Sequence, residues 1–300
     1  MEFHYQLVNV FAESTFGGNP LCVFEDARGL SDAQMQSLAL QFNLSETVFI
    51  LPSERATARM RIFTTGYEMP FAGHPTLGTA HVVRHLLKTG NNISLECKAG
   101  IVTVQASSDE PDIWTFTAPV PDGLVTAKCA LPGAELAAML GLHASDLLDE
   151  PVWVNTGTDQ LLVPLRTIEA VQRAQPDSSR LAEWPPSSLG RKTAYVFAWE
   201  DGTESANERL AVTARYFFTK QGGGVAEDPG TGSACANLGG WWIVQKRPLP
   251  ARLQISQGEQ VQRPSCLYLD IGLDSDVGSE CRIQVGGRVL ELGRGVINLG

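Results

Sequence analysis

Three hundred residues, 43% of them hydrophobic and 19% charged, suffice for one large domain or two modest ones with a sizeable core. The net charge of −10 argues against broad binding to nucleic acid or to an anionic membrane, because both need a cationic surface. A small acidic ligand stays open, since a local site can oppose the global sign.

The N-terminal stretch MEFHYQLVNVFAES lacks the basic segment and apolar core of a signal peptide, and residues 3–12 read as a first strand. Residues 31–43 predict a helix: Ser31 and Gln34 form a capping-box pair, and Met35, Leu38, Ala39 and Phe42 recur at helical spacing. Residues 46–51 and 58–65 read as strands. A second helix is predicted from Pro75, suited to a first helical position, to Gly90, suited to a stop. Residues 93–107 and 113–120 follow as strands. The Pro-containing stretch 119–133 reads as an interdomain connection. Beyond it, 134–142 predicts a helix, and 152–157, 161–165, 193–200 and 210–219 predict strands. Residues 229–247, opened by Pro229, predict another long helix, and 251–258, 266–273 and 281–299 close the chain as strands. No run approaches 18 apolar residues, so no membrane span is expected. Cys22, Cys97, Cys129, Cys235, Cys266 and Cys281 have no CxxC spacing and no nearby histidine cluster. No metal site is therefore expected, and the thiols read as mostly buried and reduced. The expected setting is the cytoplasm.

The chain repeats itself. Residues 61–80, laid without gaps on 215–234, match at seven of twenty positions: Arg61/Arg215, Phe63/Phe217, Thr65/Thr219, Ala72/Ala226, Pro75/Pro229, Gly78/Gly232 and Ala80/Ala234. A repeat of this length predicts two homologous domains, 1–118 and 134–300, with the last strand able to return to the first. The helix following each repeat is poor in charge, and SACANLGGWWIV is apolar nearly all round, so it should be buried. The expected fold is α+β, with two pseudo-symmetric barrel-like β domains each wrapped around a central helix.

The overlay sets His74 opposite Asp228, each just before the Pro expected to open its helix. Open backbone N–H groups would lie at Thr76 to Gly78 and at Gly230 to Ser233. Domains packed face to face would turn both helix starts into a cleft able to hold a small carboxylate. His74 could equally cap its helix or be a satisfied core histidine. An N-cap role for Asp228 is compatible with function. The stretch GTGSA (230–234) is neither a phosphate loop nor a nucleophile elbow, and Ser233 reads as a hydrogen-bond donor to an anion. Glu46 opens an apolar strand. It is either a solvated loop-end acid or a buried carboxyl, and burial would bring such a group toward the neutral range a proton shuttle needs. Asn19, in the Gly-rich FGGNP, could be a mere turn former.

The blocks FGGNP, NLSETVF, RIFTTGYEMPFAGHPTLGTA and GGGVAEDPGTGSA resemble the signature blocks of the phenazine-biosynthesis F (PhzF-like) family, in order and over nearly the whole chain. The resemblance implies a diaminopimelate-epimerase-like fold. It also implies a cofactor-free isomerase in which Glu46 is the general acid and base, with contact or proton-relay roles for His74, Asp228 and Ser233. Asn19, Ser45, Gly73, Thr231 and Gly232 join Ser233 as candidate substrate-binding residues. In epimerases of that fold two cysteines at the helix starts act as acid and base. Here Gly73-His74 and Asp228-Pro229 stand there, and Cys235 lies too far into its helix, so a two-thiol racemisation is not implied. Two alternatives stay open: a racemase or epimerase using His74 and Asp228 as an opposed pair, and a non-catalytic metabolite binder. The expected partner is a small carboxylate metabolite. A homodimer is one assembly open to the chain, two-fold dimers being the commonest.

Overall fold

The computed structural model describes residues 1–118, 124–204, 208–220, 223–273 and 281–299. Residues 119–123 of the expected connection, and Gly222 of the last signature block, lie outside the described residues. The chain divides into two units, Met1–Thr117 with Gly286–Gly300, and Ala118–Val285.

The first unit contains β1 (Glu2–Val10), β2 (Asn19–Phe24), α1 (Asp32–Phe42), β3 (Glu46–Leu51), β4 (Ala58–Phe63), β5 (Glu68–Met69), α2 (Gly73–Leu87), β6 (Asn92–Cys97), β7 (Gly100–Ala106) and β8 (Ile113–Thr117). β1 pairs antiparallel with β2, β2 runs parallel to β3, β3 is antiparallel to β4, and β4 is parallel to β6. β6, β7 and β8 follow as antiparallel neighbours. The C-terminal strand Cys281–Asn298 pairs with β8 and, antiparallel, with β1, which closes a barrel. Closure removes the exposed edges that an open sheet would have to protect. Inside runs α2, in contact with β1, β2, β3, β4, β6, β7 and β8, its residues from Gly73 to Val83 all buried. Gly78 makes this possible. A Cβ there would lie 2.6 Å from Leu21 Cδ2 and close to Val8 and Val10, so only glycine lets the helix approach the wall. Helix α1 has the expected capping box on Ser31 and Gln34 and buries Met35, Leu38 and Ala39, over a cluster that includes Phe24, Phe49 and Phe63.

The second unit contains β9 (Val125–Lys128), α3 (Gly133–Met139), β10 (Val152–Asn155), β11 (Asp159–Pro164), α4 (Ile168–Arg173), β12 (Thr193–Glu204), β13 (Leu210–Thr219), β14 (Val225–Asp228), α5 (Gly232–Val244), β15 (Ala251–Gln257) and β16 (Ser265–Leu273). Its pairing repeats the first unit. β10 is antiparallel to β11, β11 parallel to β12, β12 antiparallel to β13, β13 parallel to β15, and β15 antiparallel to β16. The short β14 pairs with β13 as β5 pairs with β4. Helix α5 follows β14 as α2 follows β5, and it is buried from Ala234 to Trp242, as its apolar circumference predicts. The fold is thus α+β, two barrel-like β units each with a buried central helix.

The pairing corrects the register of the internal repeat. Phe63 pairs with Glu68, five residues on, whereas Phe217 pairs with Glu227, ten residues on. Side chains agree: Arg61 donates through Nε and Nη2 to both carboxylate oxygens of Glu68, and Arg215 does the same to Glu227. The second hairpin is longer by five residues, so the ungapped overlay holds only through Thr65/Thr219. Past the hairpin Gly73 matches Gly232, each the first residue of its helix, and His74 matches Ser233 rather than Asp228. Both expected helix starts shift as well. Pro75 is the third residue of α2, where its missing N–H still costs nothing because the first turn lacks intrahelical partners. Pro229 lies outside α5. Two glycines, Gly230 and Gly232, make that segment a poor helix opener, and Thr231 takes the N-cap position in extended conformation.

Candidate active site

In the first unit Glu46 opens β3, level with Leu21 of the parallel β2. Its side chain is only 15% exposed, and Oε2 lies 3.5 Å from His74 Nε2. It is therefore not a solvated loop-end acid. His74 is the second residue of α2, and the N-cap position belongs to Ala72, so His74 is not a cap. Its imidazole is 6% exposed, and burial pushes its pKa from 6.5 down to about 3. The ring is neutral at pH 7. The 3.5 Å approach is a carboxyl beside a neutral imidazole, not an ion pair, and it is too long for a strong hydrogen bond.

Backbone donors sit beside this pair. The Thr76 N–H already bonds Ala72 O at 3.2 Å and Pro75 has none, which leaves those of Gly73 and His74 at the positive end of the helix. The expected donors Thr76 to Gly78 are thereby corrected. Asn19 is fully buried. It opens β2 rather than merely forming a turn, two residues before Leu21 and so on the same face of the strand. Gly18 delivers it with φ +73, where a Cβ would collide with Val10 O at 2.5 Å. Ser45 precedes Glu46 and is exposed.

In the second unit Asp228 ends β14 opposite Tyr216. Its Oδ2 accepts from Thr231 Oγ1 at 2.5 Å, so it holds the N-cap residue rather than being the N-cap. Gln257, at the end of β15, ties the turn together. Its Nε2 donates to Asp228 O at 2.8 Å and to Thr231 Oγ1 at 3.1 Å, and its Oε1 accepts from Thr231 N at 3.4 Å. Gly258 follows at φ +82, with room for no side chain against Pro229 O and Arg263 O. Cys235 N–H bonds Thr231 O at 3.0 Å, so Gly232, Ser233 and Ala234 head the helix. Ser233 Oγ accepts from Gln160 Nε2 at 2.8 Å. Burial pushes the Cys235 thiol up, which disarms it as a nucleophile or acid–base group.

Sequence reasoning missed Gln160, Asn237, Tyr216 and Gln257. A signal existed for one: Asn237 is the lone amide in the otherwise apolar SACANLGGWW, and a fully buried amide needs partners. In the second unit Ala194 pairs with Phe217 as Thr47 pairs with Phe63, so Thr193 stands where Glu46 stands. The acid is present in one copy only. Among the described residues no group of three or more His, Cys, Asp or Glu side chains could hold a metal, and no helix is long and apolar enough to cross a membrane.

Known proteins resemble this chain in sequence and fold. A family model described as phenazine biosynthesis-like protein matches residues 8–292. The chain is similar to an uncharacterized isomerase of Pasteurella multocida, 38% identical with 98% of this chain and 93% of that protein covered. It is similar to trans-2,3-dihydro-3-hydroxyanthranilate isomerase of Pseudomonas aeruginosa, 31% identical over 88% of each chain. Among solved structures, a PhzF-family phenazine biosynthesis protein of Bacillus anthracis superposes with a TM-score of 0.84 over both whole chains at 24% identity, a likeness of fold.

Proposed function

The chain belongs to the phenazine biosynthesis-like family, and from that premise we propose that it is a cofactor-independent isomerase of a small carboxylate in which Glu46 carries the proton. The observation that supports this most is the setting of Glu46: a largely buried carboxyl against a neutral His74, with threonine at the matching place of the other unit. One acid–base group suits a reaction that lifts a proton and returns it to another carbon of the same substrate on the same face. Glu46 as carboxylate takes a proton from a carbon α or vinylogous to a carbonyl or imine. The electron pair moves into the conjugated system, and the Glu46 carboxylic acid then protonates the second carbon. The N–H groups of Gly73 and His74 would hold the substrate's carboxylate and the charge that develops; in the second unit, the helix start at Thr231, Gly232 and the Ser233 hydroxyl are candidate contacts to a carboxylate. Asn19, Ser45 and Asp228 complete the candidate contacts. The reading carries a cytoplasmic setting with it, and a homodimer as the simplest assembly.

The epimerase alternative uses His74 and Asp228 as an opposed pair. The corrected register makes Ser233, not Asp228, the match of His74, so the internal repeat no longer argues for that pair.

The test begins with trans-2,3-dihydro-3-hydroxyanthranilate, the compound named for a relative, and extends to small aromatic and amino-acid carboxylates. Glu46→Gln should cut turnover by about a thousandfold, within the range for loss of a positioned acid–base group, while calorimetry shows ligand binding retained. Turnover within about threefold of wild type in that variant would overturn the assignment of Glu46.

A further inference from the structure

Ser233 sits at the end of a buried amide chain whose hydrogen-bond polarity is fixed from its far end. Asn237 Oδ1 accepts from Thr156 N at 2.9 Å and from Thr156 Oγ1 at 2.7 Å. Asn237 Nδ2 donates to Thr158 O at 2.8 Å. A backbone N–H can only donate and a backbone carbonyl can only accept, so the Asn237 amide has one orientation. Its second Nδ2 hydrogen goes to Gln160 Oε1 at 2.7 Å, which fixes Gln160 in turn and leaves its Nε2 to donate to Ser233 Oγ at 2.8 Å. The same Nε2 lies 3.4 Å from Tyr216 Oη. Ser233 Oγ is therefore an acceptor on its protein side, and its proton is left for something else. Among the described residues no protein acceptor takes it.

The first unit shows that the fold does not need this chain of amides. Leu162 pairs with Tyr195, so Gln160 lies level with Thr193, as Leu21 lies level with Glu46. Asn237 is the sixth residue of α5, as Gly78 is the sixth of α2. Where the second unit joins Gln160 to Asn237, the first packs Leu21 on Gly78 with no polar atom. Burying two amides costs free energy unless every group is satisfied, so the apolar solution is the simpler way to close the barrel.

We propose that Gln160 and Asn237 are positioning residues that hold the Ser233 hydroxyl as a hydrogen-bond donor toward the substrate anion. The inference rests on the reading above that Ser233 contacts a carboxylate substrate. Loss of one hydrogen bond to a charged group is worth a factor of about 10 to 100.

The experiment is a double-mutant cycle on turnover of trans-2,3-dihydro-3-hydroxyanthranilate. Ser233→Ala should lower kcat/KM by about 10- to 100-fold, and Gln160→Met by about three- to tenfold, part of the same loss. The double variant should be no worse than Ser233→Ala alone, because Gln160 acts only through Ser233. Gln160→Glu keeps the shape and the bond from Asn237, serves if Gln160→Met fails to fold, and should lose more activity than Gln160→Met by drawing the Ser233 proton inward. If the two losses multiply in the double variant, or if Gln160→Glu and Gln160→Met both keep wild-type kinetics while Ser233→Ala is impaired, the positioning role falls and the role of Ser233 stands. If Ser233→Ala is unimpaired, or the wild type neither binds nor converts this compound or any of the small aromatic and amino-acid carboxylates, the parent reading falls and takes this inference with it.

Discussion

A carboxyl and an imidazole in contact invite the label of an ion pair, and burial decides against it here. With its pKa at about 3, His74 takes up a proton only well below the pH at which free histidine does. Its charge therefore contributes nothing near neutrality, and it acts by shape and by neutral hydrogen bonding. The pH–rate profile tests this. His74→Gln should lower kcat/KM roughly evenly across pH 5 to 9 and leave the midpoint of the acid limb unmoved. Disappearance of an acid limb near pH 6 in that variant would show that His74 titrates after all. Glu46 stood out in the sequence as an acid opening an apolar strand, but its burial was not legible there, because the same position reads equally as a solvated loop end. Its contact with His74 was not legible either, since that contact depends on how far into the barrel α2 is set.

The central helices carry constraints of their own. Gly78→Ala would place a Cβ 2.6 Å from Leu21 Cδ2 and should destabilise the first unit by about 1–3 kcal/mol, read as a lower denaturant midpoint with an unchanged slope. Helix α2 also buries two neutral histidines. His81 accepts from Trp114 Nε1 through Nδ1 at 3.4 Å, an arrangement open only to the neutral ring. Burial, reinforced by His85, pushes it down to about 4, against the pull of Asp112 and Glu291 and with a small further push from Arg84. The unfolded chain binds these protons more readily than the folded one. Stability is thus fully present above about pH 6.5 and falls as pH drops toward the folded values of about 4 and 3. His81→Gln retains an acceptor for Trp114 without a titrating group. It should narrow the difference in melting temperature between pH 7 and pH 5, and an unchanged difference would clear His81 of a role in acid sensitivity. The capping box of α1 and the apolar circumference of α5 were readable in advance because they are local. The start of α2 at Gly73 was not, because Pro75 suits several places in a first turn.

Across the whole molecule the two units share a topology and differ in chemistry. The duplication showed in the sequence because Arg61/Arg215 and Phe63/Phe217 lie on matching strands before the hairpins diverge. An ungapped overlay could not register a hairpin five residues longer, and that error set His74 opposite Asp228. The amide chain was equally hidden, since Gln160 and Asn237 lie 77 residues apart and meet only when α5 is threaded against β11. The duplication leaves Glu46 matched by Thr193 and Ser233 matched by His74, while the second helix start keeps its own carboxyl and hydroxyl, Asp228 and Thr231. With Glu46 as the proposed proton carrier, isomerisation on one face of the substrate is the expected outcome, with hydrogen exchange tied to that residue. The direct test is NMR of the substrate–product pool of trans-2,3-dihydro-3-hydroxyanthranilate in deuterated water. Wild-type enzyme should incorporate deuterium at the carbons that lose and gain the proton, and Glu46→Gln should incorporate none above the uncatalysed rate. Undiminished incorporation by Glu46→Gln would contradict the account.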